Sequence, residues 1–250
     1  MPRPKILELF CGVGGAAMGY HQAGFDVYGV DIEEQPDFPF AFCLGDAISI
    51  LSRLIGGGAV TFTRRDGTSE TLRIEDFDAV HASPPCQASC TLTKGTNSGN
   101  EYLNLIPATR ALLALHNKPT VIENVQGSDL RRDLTLCGEM FGLGVIRHRY
   151  FECSGFTALP TPHKAHRGKV RGWRHGTYYD GCYWAVHGSG GGKGSVADWQ
   201  EAMGISWTSN RKSIAEAIPP AYTRFIGGQV MQYLESQEAI RKLRDEVDAA

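Results

Sequence analysis

The stretch KILELFCGVGGAAMGYHQAGFDVYGVD, residues 5–31, decides the fold. Its apolar start, KILELF, predicts a buried first strand, and the glycine-rich turn CGVGG follows at once. Residues 16–24 indicate a short helix ending at Gly24, and FDVYGVD indicates a second strand ending at Asp31. This order of strand, glycine loop, helix and strand-end acid is the layout of a nucleotide-type cofactor site in a doubly wound α/β sheet.

The loop itself has the spacing GxGG, which does not match the GxGxxG fingerprint of dinucleotide sites. A turn of this kind can also serve only tight packing of strand against helix. The carboxylate of Asp31 favours the functional interpretation, because an acid at this position can accept the ribose hydroxyls of a bound nucleoside.

Later strands also end in groups that can do chemistry. Asp46 lies near the end of a third strand, the sequence SPPCQ follows a fourth, and Glu123 and Asn124 end a fifth. In an open α/β sheet, ligands bind outside the carboxyl ends of the strands, so these groups are expected to share one site. The three predicted strands are CLGDAISI (43–50), DFDAVHAS (76–83) and PTVIENV (119–125).

The remaining regular elements are less directly tied to a site. Residues 59–75 alternate apolar and polar around an Asp-Gly pair, which predicts a hairpin on the surface. Residues 101–118 predict an amphipathic helix, and the chain from Ala217 onward is predominantly helical.

Length and composition fit one sizeable α/β domain with a small lobe: 250 residues, 42% hydrophobic and 21% charged. These values exclude collagen-like, coiled-coil and wholly disordered chains. No apolar run approaches the roughly 18 residues of a membrane span, and no signal peptide is evident, so we expect a cytoplasmic protein. The seven cysteines are odd in number and scattered, which argues against a disulfide framework.

The formal net charge is −2, so any binding of nucleic acid needs a local basic patch. Residues 154–179 form such a patch, because they contain lysine, arginine and interleaved aromatic residues but no Asp or Glu. We therefore divide the chain into a catalytic and cofactor-binding domain (1–153), a basic, aromatic lobe (154–213) and a helical return to the catalytic domain (214–250).

Three features suggest chemistry at the strand ends. Cys86 follows two prolines that stiffen the backbone, so its thiol is a candidate nucleophile. Glu123 could lie buried beside a substrate with a raised pKa and share a proton. Arg147 and Arg149 are spaced i, i+2 on an extended segment, so both could hold a phosphate or the rim of a base.

A zinc site is a further possibility in the lobe. Cys153, His163, His166 and Cys182 are the candidate ligands. Their spacing fits no compact zinc finger, and we therefore predict no metal site.

In the order of its motifs, the chain resembles the DNA (cytosine-5) methyltransferases. These motifs are FxGxGG, the strand-end Asp31, a Gly-Asp pair, PPCQ, ENV and RxR. The resemblance covers residues 5–153 and, through FIGGQV, residues 216–234. The matching residues are Phe10–Gly15, Asp31, Gly45, Asp46, Pro84–Gln87, Ser89, Glu123–Val125, Arg147–Arg149 and 225–230.

The resemblance implies a Rossmann-like fold that binds S-adenosylmethionine, with a small inserted target-recognition lobe. Asp31 would take the ribose hydroxyls, and Asp46 the adenine amino group. The cofactor-binding residues it implies are Phe10, Cys11, Gly12, Val13, Gly14, Gly15, Asp31, Ile32, Asp46, Ala47, Pro85 and Gln229.

It also implies methyl transfer to C5 of a cytosine flipped out of double-stranded DNA. Cys86 would attack C6, Glu123 would hold the N3 and N4 edge, and Arg149, with Arg147, would brace the base. We expect a monomer of bacterial or phage origin that associates with the nucleoid. The implied DNA contacts are Gln87, Ser89, Lys164, Arg167, Lys169, Arg171 and Arg174.

Three alternatives stay open from the sequence. The same chemistry could act on RNA, as in a transfer RNA subgroup of the family. A modified sulfonium cofactor could donate a group other than methyl. The chain could also be a DNA-binding protein without activity, although the intact set of Cys86, Glu123 and Arg149 argues against this.

Overall fold

A computed structural model of the chain describes residues 2–85, 103–163, 165–174, 177–187 and 194–249. Most of the strands it describes belong to one mixed sheet. These are β1 (Lys5–Leu9), β2 (Asp26–Asp31), β3 (Ala41–Leu44), β4 (Val60–Thr63), β5 (Ser69–Leu72), β6 (Ala79–Ala82), β7 (Thr120–Val125), β8 (Leu134–Leu136) and β9 (Arg149–Ser154).

Helices pack on both faces of this sheet, and a small antiparallel pair of strands lies outside it. The pair is β10 (Gly172–Arg174) and β11 (Thr177–Tyr179). Of the helices in the described ranges, none has an apolar stretch that could cross a lipid bilayer. The helices are α1 (Gly15–Ala23), α2 (Ala47–Ile55), α3 (Ile106–Leu113), α4 (Val196–Met203), α5 (Arg211–Glu216) and α6 (Pro220–Asp248).

The sheet order is β5-β4-β3-β2-β1-β6-β7-β9-β8. The central strands β3, β2, β1, β6 and β7 are parallel, and the pairs at both edges are antiparallel. Strand order reverses between β1 and β6, which is the switch point where open α/β sheets bind ligands. The predicted doubly wound α/β fold is confirmed.

Alternation along the strands explains why both faces are covered. Neighbouring side chains of a strand point to opposite faces, so consecutive apolar residues enter different cores. Ile6 and Val27 pack with α1 and α6, whereas their neighbours Leu7 and Tyr28 pack with α2 and α3. Continuous apolar runs such as KILELF therefore require a helix layer on each side of the sheet.

The predicted third strand is partly wrong. Residues 43–50 were expected to be extended, but β3 ends at Leu44 and α2 begins at Ala47. Asp46 caps the helix, because its Oδ1 accepts a hydrogen bond from the backbone N–H of Ser49 at 2.8 Å. The aspartate therefore lies two residues beyond the strand, still at the carboxyl edge of the sheet.

Two other elements differ in extent. The hairpin of β4 and β5 is confirmed, but β4 pairs with β3, so the hairpin extends the central sheet and buries Phe62 and Leu72. Among the described residues of the predicted helix 101–118, α3 covers only Ile106–Leu113, with a proline in its first turn.

A third hydrophobic cluster joins the predicted lobe to residues on either side of it. Leu143, Trp184, Val196, Trp207 and Ala217 pack against its buried members. Some of these residues lie outside 154–213, so the cluster does not mark the boundaries of the lobe, and these stay a prediction. The buried members of the cluster are Val145, Val186, Trp199, Ala202, Met203, Ile205, Ile214 and Ala215.

Helices α1 and α6 approach closely through a glycine. A Cβ atom at Gly19 would lie 2.0 Å from Thr223 Oγ1 and 2.1 Å from the carbonyl oxygen of Pro220. Thr223 also donates a hydrogen bond to the carbonyl of Ala16 at 2.8 Å. This contact fixes the start of α6 against the helix that follows the glycine loop.

We predict opposite effects of alanine at two helical glycines. Gly19→Ala should lower the free energy of unfolding by about 1–3 kcal/mol or more, because the added methyl overpacks backbone and a buried hydroxyl. Gly228→Ala on α6 meets nothing within 4 Å and should stabilise by up to about 1 kcal/mol through helix propensity. Urea unfolding of both variants checks this; equal effects would contradict the packing.

Candidate active site

The carboxyl ends of the central strands bring most of the sequence-predicted groups to one edge. Phe10 follows β1, Asp31 ends β2 and Asp46 follows β3. Residues 83–85 follow β6, and Glu123 lies in the carboxyl-terminal half of β7. Cys86, Gln87 and Ser89 continue the segment after β6 and lie outside the described residues.

The glycine loop turns sharply after β1. Phe10 has a φ of 60°, a left-handed conformation that costs a side-chain-bearing residue about 1–2 kcal/mol. Cys11 then donates its backbone N–H to the carbonyl of Val30 at 3.0 Å, and Gly12 donates its own to Asp31 Oδ2 at 2.8 Å. The loop is thus tied to the end of β2, next to the acid.

The glycines of the loop have different reasons to be glycine. A Cβ at Gly12 would meet nothing within 4 Å, so this side of the loop faces open space. A Cβ at Gly14 would lie 2.8 Å from the ring of Phe38, and one at Gly15 would lie 2.3 Å from the carbonyl oxygen of Ile218. Gly12 therefore suits a bound ligand, and Gly14 and Gly15 serve close packing.

Cys11, Val13 and Ala47 were also expected to touch a cofactor. All three side chains are buried, and Cys11 packs in the core beneath the loop. The Val13 carbonyl already accepts a hydrogen bond from Trp207 Nε1 at 2.9 Å, so the lobe helps to hold the loop. No local pattern around Trp207 predicted this role.

An apolar surface lies beside Asp31. Ile32 is 69% exposed and Leu44, which pairs with Asp31 across β2 and β3, is 53% exposed. Exposed apolar side chains next to a strand-end acid can cover the face of a purine base while the acid binds its sugar. Ile32 is one of the predicted cofactor contacts. Leu44 is not among them, because only the folded chain shows that its side chain is exposed.

Glu8 is a buried carboxyl beneath this edge that sequence analysis did not single out. Burial raises its pKa well above the usual value, and the charge of Asp31 raises the pKa further. A hydrogen bond from the backbone N–H of Ala17 opposes these effects. The sequence does contain a signal for this buried carboxyl, because Glu8 is the one acid in the apolar run KILELF.

Two side chains hold the segment that leads to Cys86. The buried Asn124 donates from Nδ2 to the carbonyl of Pro84 at 2.8 Å. Ser83 donates from Oγ to the carbonyl of Phe10 at 3.1 Å. The start of the Pro-Pro-Cys segment is therefore fixed to both β7 and the glycine loop, with Pro85 exposed at the site.

A buried ion pair lies next to this segment. Arg149 Nε is 2.9 Å from Glu123 Oε1, and the side chains are 15% and 7% exposed. The register of β7 and β9 places Arg149 opposite Val125, so its side chain shares a face with Glu123. Burial raises the pKa of the Glu123 carboxyl, and the positive charges of Arg149 and Arg147 oppose that shift.

The predicted role of Arg147 at the base is not supported. Its Nη1 donates to the carbonyl of Val186 at 2.8 Å, and its Nη2 donates to the carbonyl of Ala215 at 2.6 Å. Its own carbonyl accepts a hydrogen bond from the Tyr222 hydroxyl. Arg147 therefore joins β9 to the lobe, because buried carbonyls without strand partners need donors.

Gln229 was predicted to contact the cofactor, and its position argues against this. Its side-chain amide accepts from the N–H of Leu159 at 2.6 Å and donates to the carbonyl of Leu159 at 3.3 Å. Residues 217 and 218, at the entry to α6, are the ones that reach Gly15. Gln229 lies nine residues beyond Pro220, roughly 13 Å along the helix.

The predicted DNA contacts of the lobe differ in their partners. Arg167 Nε is 2.9 Å from Glu139 Oε1, so its charge is paired within the protein and a role in binding phosphate is not supported. Lys169 lies over the ring of Tyr179, and Arg171 lies over Trp184 with its Nε donating to the carbonyl of Gly181. Lys164 and the side chain of Arg174 lie outside the described residues.

The zinc candidates separate in the fold. His163 and His166 are together, but the side chains that join them are Cys137 and His148. Cys153 is instead buried in β9, where burial raises the pKa of its thiol to about 12. Cys182 is exposed.

Comparisons with known proteins agree with this architecture. Residues 4–133 match the C-5 cytosine-specific DNA methylase family. Type II methyltransferase M.XorII of Xanthomonas oryzae pv. oryzae is 28% identical over 128 residues, which cover 51% of this chain and 29% of that protein. Type II methyltransferase M.NgoFVII of Neisseria gonorrhoeae is 32% identical over 127 residues, which cover 50% of this chain and 31% of that protein.

A solved structure also matches nearly the whole chain. The Dnmt2 methyltransferase of S. pombe aligns with a TM-score of 0.53 at 15% identity, covering 93% of this chain and 99% of that one. At this identity the likeness concerns the fold alone. The two curated relatives are much longer, and the aligned part spans less than a third of each.

We predict a pH-dependent loss of stability when the buried ion pair is broken. Arg149→Gln removes a charge that lowers the pKa of Glu123, so that pKa rises further above its value in the unfolded chain. The loss of unfolding free energy should grow as the pH rises through the wild-type pKa of Glu123, towards about 3–5 kcal/mol once the carboxylate is ionised and unpaired.

Urea unfolding over a series of pH values measures this dependence. The double variant Glu123→Gln/Arg149→Gln is the control, because it lacks the titrating carboxyl. Its loss relative to the wild type should not grow with pH and should instead shrink, since the raised pKa of Glu123 makes the wild type itself less stable as the pH rises. A loss in Arg149→Gln that is the same at all pH values would contradict the coupling.

Proposed function

This chain belongs to the C-5 cytosine-specific DNA methylase family, and we propose that it transfers a methyl group from S-adenosylmethionine to C5 of a cytosine flipped out of DNA. One observation carries the proposal. The buried pair of Glu123 and Arg149 adjoins the segment that leads to Cys86, on the sheet edge that also carries the glycine loop and Asp31.

The strand-end surface fits S-adenosylmethionine. Open space beside Gly12 allows close approach to the backbone, and the exposed Ile32 and Leu44 offer apolar area for adenine. Asp31 would bind the ribose hydroxyls, and the Asp46 oxygen not committed to the helix cap is available for the adenine amino group. When bound, S-adenosylmethionine supplies an electrophilic methyl group.

Cys86 would act as the nucleophile, because C5 of cytosine is too weak a carbon nucleophile on its own. Addition of its thiolate to C6 forms a carbon–sulfur bond and places electron density on C5. After C5 has been methylated, removal of the C5 proton and expulsion of the thiolate restore the ring. Asn124 and Ser83 hold the segment before Cys86, so they would aim the thiol.

Glu123 would bind the N3 and N4 edge of the flipped base. Because burial raises its pKa, the carboxyl can carry a proton and donate it towards N3 as negative charge develops there. Its Oε1 contacts Arg149 but accepts no aligned hydrogen bond, so it retains a lone pair for the amino group at C4. Arg149 keeps the carboxyl in place and limits the rise of its pKa.

The lobe would supply the contacts to DNA. Lys169 and Arg171 are held by stacking on aromatic rings, with Arg171 also facing Asp180 at 3.5 Å. Cations held on rings can reach phosphates with little loss of side-chain freedom. Arg147 links the lobe to β9, so docking of DNA and placement of the base would be joined through one strand.

We predict that Cys86→Ser abolishes methyl transfer and covalent capture. The wild-type protein with labelled S-adenosylmethionine should methylate duplex DNA and should form a stable adduct with DNA containing 5-fluorocytosine, because fluorine at C5 cannot leave as a proton does. Serine cannot supply a thiolate, so methyl transfer should fall to background and no adduct should form.

Cys182→Ser is the matched control, since it changes an exposed cysteine away from the strand ends and should behave like the wild type. Adduct formation by Cys86→Ser would contradict the covalent mechanism. Label incorporated into transfer RNA instead of DNA would contradict the assignment of the substrate.

We predict that Gly12→Ala weakens S-adenosylmethionine binding while Gly67→Ala does not. Both glycines have positive φ, 50° and 85°, and in both cases a Cβ would meet nothing within 4 Å. Alanine should therefore cost each about 1–2 kcal/mol of stability. Only at Gly12 would the methyl group occupy cofactor space, which we expect to lower affinity at least about tenfold.

Isothermal titration calorimetry with S-adenosylmethionine distinguishes the two variants, and thermal unfolding confirms that their strain is similar. Equal affinities would place the cofactor away from the loop.

A further inference from the structure

Four metal-binding side chains converge beside β9. The Cys137 sulfur and one ring nitrogen from each of His148, His163 and His166 all lie within 4.8 Å of one another. Cys137 Sγ is 3.5 Å from His166 Nε2, and His148 Nε2 is 3.0 Å from His163 Nε2. We propose that this cluster is a structural zinc site that fastens the lobe to the catalytic sheet.

The pairing of β8 with β9 brings together two of the four side chains, Cys137 and His148. In the antiparallel pair of β8 and β9, Leu136 lies opposite Arg149. Just beyond the paired ends of these strands, Cys137 follows Leu136 and His148 precedes Arg149. The two residues are eleven positions apart in the sequence, and the β8–β9 pairing brings the thiol and the imidazole together.

The other half comes from the segment after β9. His163 and His166 are three residues apart, and the ring of His163 stacks on that of His148 at 5.1 Å with an interplanar angle of 11°. Arg167, directly after His166, pairs with Glu139, which lies two residues after Cys137. This ion pair holds the two segments side by side without help from a metal, so the ligands are already arranged.

The donor set and its spacing suit Zn²⁺. Thiolate sulfur and imidazole nitrogen are the ligand types of structural zinc sites, whereas Mg²⁺ and Ca²⁺ prefer oxygen. Bond lengths of about 2.3 Å to sulfur and about 2.0–2.1 Å to nitrogen, at tetrahedral angles, place neighbouring donors about 3.3–3.5 Å apart. The measured separations of 3.0 Å and 3.5 Å are close to these values.

Four protein ligands would fill the tetrahedral shell, which is typical of a structural rather than a catalytic zinc site. Its place in the fold indicates what it stabilises. His148 lies between Arg147, which holds the lobe, and Arg149, which pairs with Glu123. A metal at His148 would fix the start of β9, and with it both arginines.

The test is metal content and cobalt spectroscopy of the full chain prepared without a polyhistidine tag. We expect about one zinc per chain by elemental analysis. After removal of zinc by a chelator, added Co²⁺ should give the visible bands of a tetrahedral site and a thiolate-to-cobalt charge-transfer band. Neither readout needs substrate, so the result is independent of the proposed methyl transfer.

Variants identify the ligands. Cys137→Ser should lose the charge-transfer band, and His163→Gln should lose most of the bound zinc. Cys182→Ser and His187→Ala are matched controls at exposed residues outside the cluster and should bind metal like the wild type. Because His163 is exposed, its variant should fold even if Cys137→Ser does not, and circular dichroism checks this.

The proposal is overturned if the wild type neither retains zinc nor binds Co²⁺. It is also overturned if Cys137→Ser keeps the charge-transfer band, if a folded His163→Gln keeps its zinc, or if Cys182→Ser loses it. A stoichiometric metal other than zinc on the same residues would overturn the identity of the ion.

Discussion

The buried contact between Glu123 and Arg149 constrains the rest of the candidate site. An acid at this depth keeps its charge only when a cation lies against it, and the cation must come from a neighbouring strand. The antiparallel pairing of β7 with β9 provides that neighbour, with Arg149 one diagonal step from Glu123. Any change in the register of β9 would leave a carboxylate unpaired beside the segment that leads to Cys86.

This dependence explains why so many contacts stabilise the start of β9. Arg147 bonds one carbonyl of the lobe, that of Val186, and one of α5, that of Ala215. Tyr222 of α6 bonds the carbonyl of Arg147, and His148 belongs to the cluster of Cys137, His163 and His166. Two consecutive residues thus connect the start of β9 to the lobe and to the carboxyl-terminal helices.

Four arginines of this chain have different roles because their surroundings differ. Arg149 faces a buried acid, Arg147 faces buried carbonyls, and Arg167 faces Glu139. Arg171 stacks on an indole and lies 3.5 Å from the exposed carboxylate of Asp180. A cation paired with a buried group contributes to the architecture, whereas one paired with an exposed acid is weakly held and keeps charge available for a polyanion.

The succession of the central strands along the chain, and the groups at their ends, could be predicted from local sequence alone. Local patterns carry this information, because apolar runs, glycine turns and strand-end acids need no distant contact to be recognised. The positions of Asp31, Asp46 and Glu123 at one sheet edge followed from those patterns. The end of β3 was misjudged because the helix cap of Asp46 overrode an apolar run that read equally well as a strand.

Only the tertiary structure decided which side chains meet. Arg147 and Arg149 look equivalent in the sequence, yet only Arg149 lies in β9, where it pairs with Glu123. Arg147 precedes the strand and bonds the carbonyls of Val186 and Ala215. The cysteine that lies beside His148 and His163 is Cys137 and not Cys153. The β8–β9 register decides this, because it brings the residue after Leu136 next to the residue before Arg149. Gln229 lies away from the glycine loop because it is nine residues beyond Pro220, where α6 begins. Such contacts depend on register and helix start, which are fixed by the packing of distant segments and not by the residues that they bring together.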